Sequence, residues 1–263
     1  GRIESNFHQG IVVQLFNAST GLSMGTSFEL FRGDLFNLQS GSGGTIPGHV
    51  DANNAVGSST HQINGPIECS SEAVENDVDG SLIITRFVLS YSIAPVQNIT
   101  KSRSIVTALT VVAPFDTLAT SLLVRTTDIS GSTDGSVQCF DSSVALVAGT
   151  DQIAVASRCG RLDGSSDRTD VIVQLISFTN MSSHLDGLWT VVDPVECPGR
   201  RSKPVLRSKG TSIFFSYVVV CNAGVNTVAV RRAVVAPGPA LSLQNDFNAL
   251  ALSRPNLWLF DIA

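Results

Sequence analysis

The residues best able to carry chemistry in this sequence are five cysteines and four histidines, together with a few clustered carboxylates. Their spacing decides what they can do. His8, His49, His61 and His184 are dispersed, and none belongs to an HxH, HExxH or CxxC…HxxxH pattern, so the spacing specifies no tetrahedral zinc centre. "GHVD" at 48–51 brings His49 close to Asp51, a pair with no partner of fixed spacing to complete a nucleophile–base–acid set. "SGSGGTIPG" at 40–48 has the glycines of a phosphate loop but no following Lys, and reads as a surface loop. "ENDVDG" at 75–80 places Glu75, Asp77 and Asp79 before Gly80, as part of a calcium loop would, but the twelfth position is Arg86, where an EF-hand requires a bidentate Glu. It reads as a solvated acidic turn. "RGD" at 32–34 matches the tripeptide that integrins bind; at three letters it carries little weight, and it is expected at a strand end. The sequence therefore points to no enzyme, no metal and no cofactor.

The elements around these residues are repeated. "VQLFNASTGLSMGT" at 13–26 recurs as "VQCFDSSVALVAGT" at 137–150, an offset of 124 positions. "NGPIECSSE" (64–72) answers to "VDPVECPGR" (192–200), "ITRFVLSYSIAP" (84–95) to "GTSIFFSYVVVC" (210–221), and "SIVTALTVVAP" (104–114) to "TVAVRRAVVAP" (227–237). The matches run in one order with slightly drifting offsets, as duplicated strands joined by unequal loops would. Between Gly-, Ser-, Asn- and Pro-rich breaks the chain consists of short runs rich in Val, Ile, Phe and Thr, without a sustained helical period. The expected fold is all-β: two tandem, duplicated β-sandwich domains, Ig-like or jelly-roll. The expected boundaries are an extension over 1–10, domains over 11–130 and 131–245, and an apolar tail over 246–263. Within that tail "DFNALALS" at 246–253 is the one credible short helix. The first domain closes on "DIS" followed by Gly131, while the chain ends on "DIA" and begins at Gly1 without an initiator Met. A processed leader or a cut from a longer array is expected.

Within the repeat, Cys139 falls at the position of Leu15 and Cys159 near that of Leu35. A Cys139–Cys159 bridge would replace a packed apolar pair, Cys197–Cys221 would form a second bridge, and Cys69 would remain free. Four cysteines allow three pairings, and five buried thiols are the alternative. N-glycosylation sequons begin at Asn17, Asn98 and Asn180, which together with scarce Lys favours an extracellular, secreted protein. A net charge of −5 argues against nucleic acid as a partner. No apolar run approaches the roughly 20 residues of a membrane helix. Residues 1–130 carry the whole excess of acid, and 131–263 balance. After the shared Pro-x-Glu-Cys one copy continues with Glu72, Glu75, Asp77 and Asp79, and the other with Arg200, Arg201, Lys203, Arg207 and Lys209. Segments of opposite sign would attract where successive units meet.

In architecture the sequence resembles the β-sandwich subunits of pili and related surface fibrils, through its tandem all-β domains and apolar ends. The resemblance implies a structural role: a subunit of an extracellular filament whose partners are copies of itself, joined head to tail. Ile3 and Phe7 at one end, and Leu257, Trp258, Phe260 and Ile262 at the other, are the side chains expected to exchange between subunits by strand addition. The alternatives are an adhesin or carbohydrate-binding pair, or a viral capsid or spike protein. With two Trp in all, at 189 and 258, an aromatic sugar platform has little to draw on.

Overall fold

The β-branched and aromatic runs become strands, and where they are buried on both faces they lose the usual alternation. The computed structural model describes residues 8–16, 19, 23–32, 45–46, 61–63, 68–75, 82–95, 103–114, 121–129, 137–161, 169–181, 183–191, 200–201, 203–220, 226–236, 238 and 240–244. Among these it forms strands and turns, with no helix. The expected helix at 246–253 lies outside the described residues.

Among the described residues the strands form four sheets, and every pairing is antiparallel. Sheet A contains β1 (His8–Phe16), β2 (Ser23–Arg32) and β3 (Thr45–Ile46). Sheet B contains β4 (His61–Ile63), β5 (Glu68–Glu75), β6 (Leu82–Pro95), β7 (Arg103–Pro114) and β8 (Ser121–Asp128). Sheet C contains β9 (Val137–Val147), β10 (Gln152–Arg161), β11 (Thr169–Ser177) and β12 (Ser183–Val191). Sheet D contains β13 (Arg200–Arg201), β14 (Val205–Lys209), β15 (Ser212–Val220), β16 (Asn226–Ala236) and β17 (Ala240–Gln244).

Sheet C is a middle layer. Ala145, Val147, Ala154, Ala156, Val173 and Leu175 pack against Phe215, Tyr217, Ala233 and Val235 of sheet D. Alternate residues on the same strands, Val144, Leu146, Ile153, Val155 and Ile176, pack the other way, against Val88, Val106 and Ala108 of sheet B. This explains the unbroken apolar run "IAVA" at 153–156, each residue of which is 0% exposed. A strand covered on both faces has no solvent side on which to place polar residues.

Sheets B and D share one strand order. β4 pairs with the end of β6 and β5 with its start; β13 and β14 pair with the end and start of β15 in the same way. Each then continues through two more strands, β7–β8 and β16–β17. Tyr91 and Tyr217 hold equivalent places in β6 and β15 and are 1% and 2% exposed. Two sequence matches shift when the register is followed. Cys69 lies opposite Leu89, and the residue opposite the equivalent Phe215 is Leu206, so Leu206 and not Cys197 is its counterpart. The first hairpin leaves β1 after Phe16, whereas the aligned Asp141–Leu146 continue as β9 and the turn follows at Ala148–Asp151. Leu15 therefore pairs with Gly25, and Leu35, its expected partner, lies outside the described residues. Sequence similarity between the hairpins survives a change in where the chain turns.

Candidate functional site

The densest polar arrangement in the described residues lies along the seam where three edge strands, β5, β9 and β14, run side by side. An edge strand presents unpaired N–H and C=O groups, which must find partners when covered. Here serines supply them. The Leu146 N–H donates to Ser70 Oγ at 3.2 Å, and its carbonyl accepts from Ser208 Oγ at 2.5 Å. Ser90 Oγ donates to the Ser142 carbonyl at 3.0 Å. The Asp141 N–H donates to Ser92 Oγ at 3.2 Å, and the Leu206 N–H donates to Ser143 Oγ at 3.1 Å. A serine reaches across an intersheet gap that a backbone group cannot span, and seals the edge without a further strand.

Charged residues close the two ends of the seam. Lys203 Nζ lies 2.7 Å from Glu68 Oε1, with both side chains about three-quarters buried, a pair worth on the order of 1 kcal/mol. Lys203, from the basic segment after the second Pro-x-Glu-Cys, thus pairs with the Glu of the first Pro-x-Glu-Cys itself and not with the acidic residues that follow it. At the other end, Glu72 and Arg86 stand opposite each other on β5 and β6 and grip the β9–β10 turn. The Gly149 N–H donates to Glu72 Oε1 at 3.2 Å, and Arg86 donates to the Thr150 carbonyl at 3.1 Å. The Arg86 guanidinium also lies 5.3 Å from the centre of the Phe178 ring, within cation–π range. Gly149 supports the turn with φ 71°, a value that L side chains rarely adopt. Asp151 organises the next turn: its carboxylate accepts from Ser177 Oγ at 2.6 Å and from the Thr179 N–H at 3.1 Å.

Asp141 is the extra residue of a β-bulge, opposite the step from Ser157 to Arg158, with φ 53°. Its carboxylate pairs with Arg158. Asn and Asp tolerate this left-handed region better than other residues with a side chain. Cys139 and Cys159 face each other two residues from the bulge and are joined in a buried disulfide. Cys69 has a free thiol on an exposed residue. It shares a sheet face with Leu89, opposite to the face on which Ser70 meets sheet C, so it does not point toward the disulfide. Desolvation, and then the Glu68 carboxylate, push its thiol pKa from 9.0 up to about 11. This is the reverse of what a nucleophilic thiolate needs.

Of the sequons, Asn180 is exposed in the turn after β11. Asn17, Asn98, Cys197, Cys221, Ile3, Phe7, Leu257, Trp258, Phe260 and Ile262 lie outside the described residues, as do His49, Asp51 and the 76–80 acidic turn. Arg32 of the RGD ends β2. His8, His61 and His184 sit on three different sheets. No group of three or more His, Cys, Asp or Glu that could hold a metal occurs among the described residues, and no helix there is long and apolar enough to cross a membrane. Sequence reading missed the seam serines and the Glu72–Arg86 grip. The one available signal was Ser90 recurring as Ser216 beside each Tyr. What the arrangement does is hold three sheets in register. No protein-family model matches the chain, and no curated protein is similar to it in sequence.

Proposed function

We propose that this chain is a structural subunit of an extracellular filament. In this reading sheets A and B form one β-sandwich domain, sheets C and D a second copy of it, and successive subunits join head to tail through exchange of a terminal segment. The supporting observation is that the strand order of sheet B recurs in sheet D, while an apolar face joins sheet B directly to sheet C. Units that already meet through broad sheet faces can extend the series, because a head-to-tail contact that does not close produces a helical polymer. At the seam the hydroxyls of Ser70, Ser90, Ser92, Ser143 and Ser208 are engaged with backbone groups. The Cys139–Cys159 disulfide and exposed Asn180 accord with an oxidising, secretory route.

Electron microscopy of the purified chain over a range of concentrations tests this reading. Filaments are expected, and deletion of 1–10 or of 255–263 should abolish them in at least one case. Monodisperse single chains at every concentration would refute it, and closed shells would point instead to a capsid.

A further inference from the structure

We infer that the face of sheet D around Phe214 is a docking surface for a sulfated polysaccharide. Residues 200–244, which contain all five strands of that sheet, hold seven Lys or Arg and no Asp or Glu. Strand register gathers three of these cations on one face. Arg207 lies opposite Phe214, Phe214 opposite Arg232, and Lys209 opposite Ser212. All five alternate with Leu206, Ile213, Phe215 and Ala233, which face sheet C, and so point away from it. Strands about 4.8 Å apart put Arg207 and Arg232 about 10 Å from each other, with Lys209 about 7 Å along β14 from Arg207. Arg207 and Lys209 are exposed, while Ser212, Phe214 and Arg232 are half-buried. Arg232 is held in place: its guanidinium donates to Ser212 Oγ at 3.0 Å and lies 5.8 Å from the centre of the Phe214 ring. A guanidinium fixed in this way keeps further N–H donors for an oxyanion.

Sheet B has the same frame and a different use for it. By strand register Ser70 and Glu72 stand where Arg207 and Lys209 stand, and Arg86, Val88 and Ala108 where Ser212, Phe214 and Arg232 stand. In sheet B those residues seat sheet C. Ser70 accepts from the Leu146 N–H, Glu72 and Arg86 hold the β9–β10 turn, and Val88 and Ala108 join the shared core. In sheet D a serine, an acid and an alanine give way to three cations. Burying these under another sheet would be costly unless negative charge came with it, so the complement of this face is an anion. Glu68, Glu72, Asp141 and Asp151 do not supply it from a second copy, because each is engaged within its own chain. A flexible acidic peptide would lose more conformational freedom on a sheet face than a stiff chain of sulfated sugars. Phe214 lies under Arg232 and is half-buried, which makes it a poor anchor for a bilayer. The chain's net charge of −5 repels polyanions in bulk, so binding would report this face. From the reading above the inference takes only the extracellular setting; filaments can form without it, and it needs no polymerisation.

Titration of the full chain with heparin at pH 7 tests it. Saturable binding that weakens as salt rises is expected, with dextran sulfate competing and unsulfated dextran not. Arg207→Ala and Lys209→Ala, both at exposed positions, should each weaken binding by about three- to tenfold, and Arg207→Lys should restore part of the loss. Arg125→Ala removes the same charge from sheet B and should leave binding unchanged. Absence of saturable binding would overturn the inference, and so would an equal loss in the Arg125 variant, which would make the effect one of bulk charge. Binding to polyglutamate or to phosphatidylserine vesicles as tight as to heparin would assign the face to an acidic protein or a membrane, and would also overturn it. Heparin binding without filaments, or filaments without heparin binding, would separate this inference from the filament reading.

Discussion

Ile153 offers the sharpest test of whether sheets B and C form one structural unit. Its side chain is 0% exposed and packs in the cluster that joins those sheets. Ile153→Ala removes three carbons at about 0.8 kcal/mol each, and the residual cavity raises the total to about 3–4 kcal/mol. Ile153→Val should cost about 1 kcal/mol. For a protein of this size the larger loss lowers Tm by about 10 °C. Urea unfolding followed both by far-UV circular dichroism and by tryptophan fluorescence measures it. Because the cavity sits between the sheets, both probes should shift together in one transition with unchanged slope. A loss under about 1 kcal/mol for the Ala variant, or two separable transitions of which only one moves, would show that the sheets are neighbours without being coupled.

Three further outcomes follow from the same contacts. Reducing Cys139–Cys159, which spans a sequence separation of 20, should cost about 3 kcal/mol; a thermal melt unchanged by reductant would contradict this. With its pKa raised from 9.0 to about 11, Cys69 keeps its proton in the folded state longer than in the unfolded one. Its contribution is thus complete below pH 9 and is lost as pH climbs toward 11. Reaction with a disulfide reagent should be slow at pH 8 and accelerate toward pH 11, and Cys69→Ser should flatten the alkaline decline in stability. A fast reaction at pH 8 would contradict the assignment. Arg86→Ala should cost about 1–3 kcal/mol through the lost Thr150 carbonyl contact and the Phe178 face, and should speed amide exchange in the β9–β10 turn while leaving β15 and β16 unchanged.

Strand positions were legible because their runs are long and their breaks clear: "SIFFSYVVV" became β15 and "NTVAVRRAVVA" became β16. The shared topology of sheets B and D was legible through Tyr91 and Tyr217, whose burial fixes them in place. Layering was not. An apolar run such as Ile153–Ala156 looks the same whether one sheet or two will cover it, and only long-range packing distinguishes the cases. The seam was hidden for a different reason. Ser70, Ser90, Ser92, Ser143 and Ser208 resemble solvent-facing strand residues, and nothing local in the sequence shows that each has a carbonyl or amide of another sheet within reach. The pairing of Cys69 with Cys197 in the repeat misled because Pro-x-Glu-Cys is a short match, and strand register puts Leu206 at the position equivalent to Cys69.

The middle position of sheet C also sets an order of events during synthesis. Val88, Val106 and Ala108 leave the ribosome well before Ile153, Val155 and Ile176. At about 5–20 residues per second, the roughly 70 residues between Ala108 and Phe178 take about 4–14 seconds to appear. Throughout that interval this face lacks the cover that sheet C gives it, and Ser70, Ser90 and Ser92 beside it lack the β9 backbone groups they bind in the finished fold. A nascent chain in this state is a client for a holding chaperone. A pause in translation once residue 128 has emerged from the ribosome should raise its losses to aggregation, whereas the same pause once residue 181 has emerged should be harmless to this face.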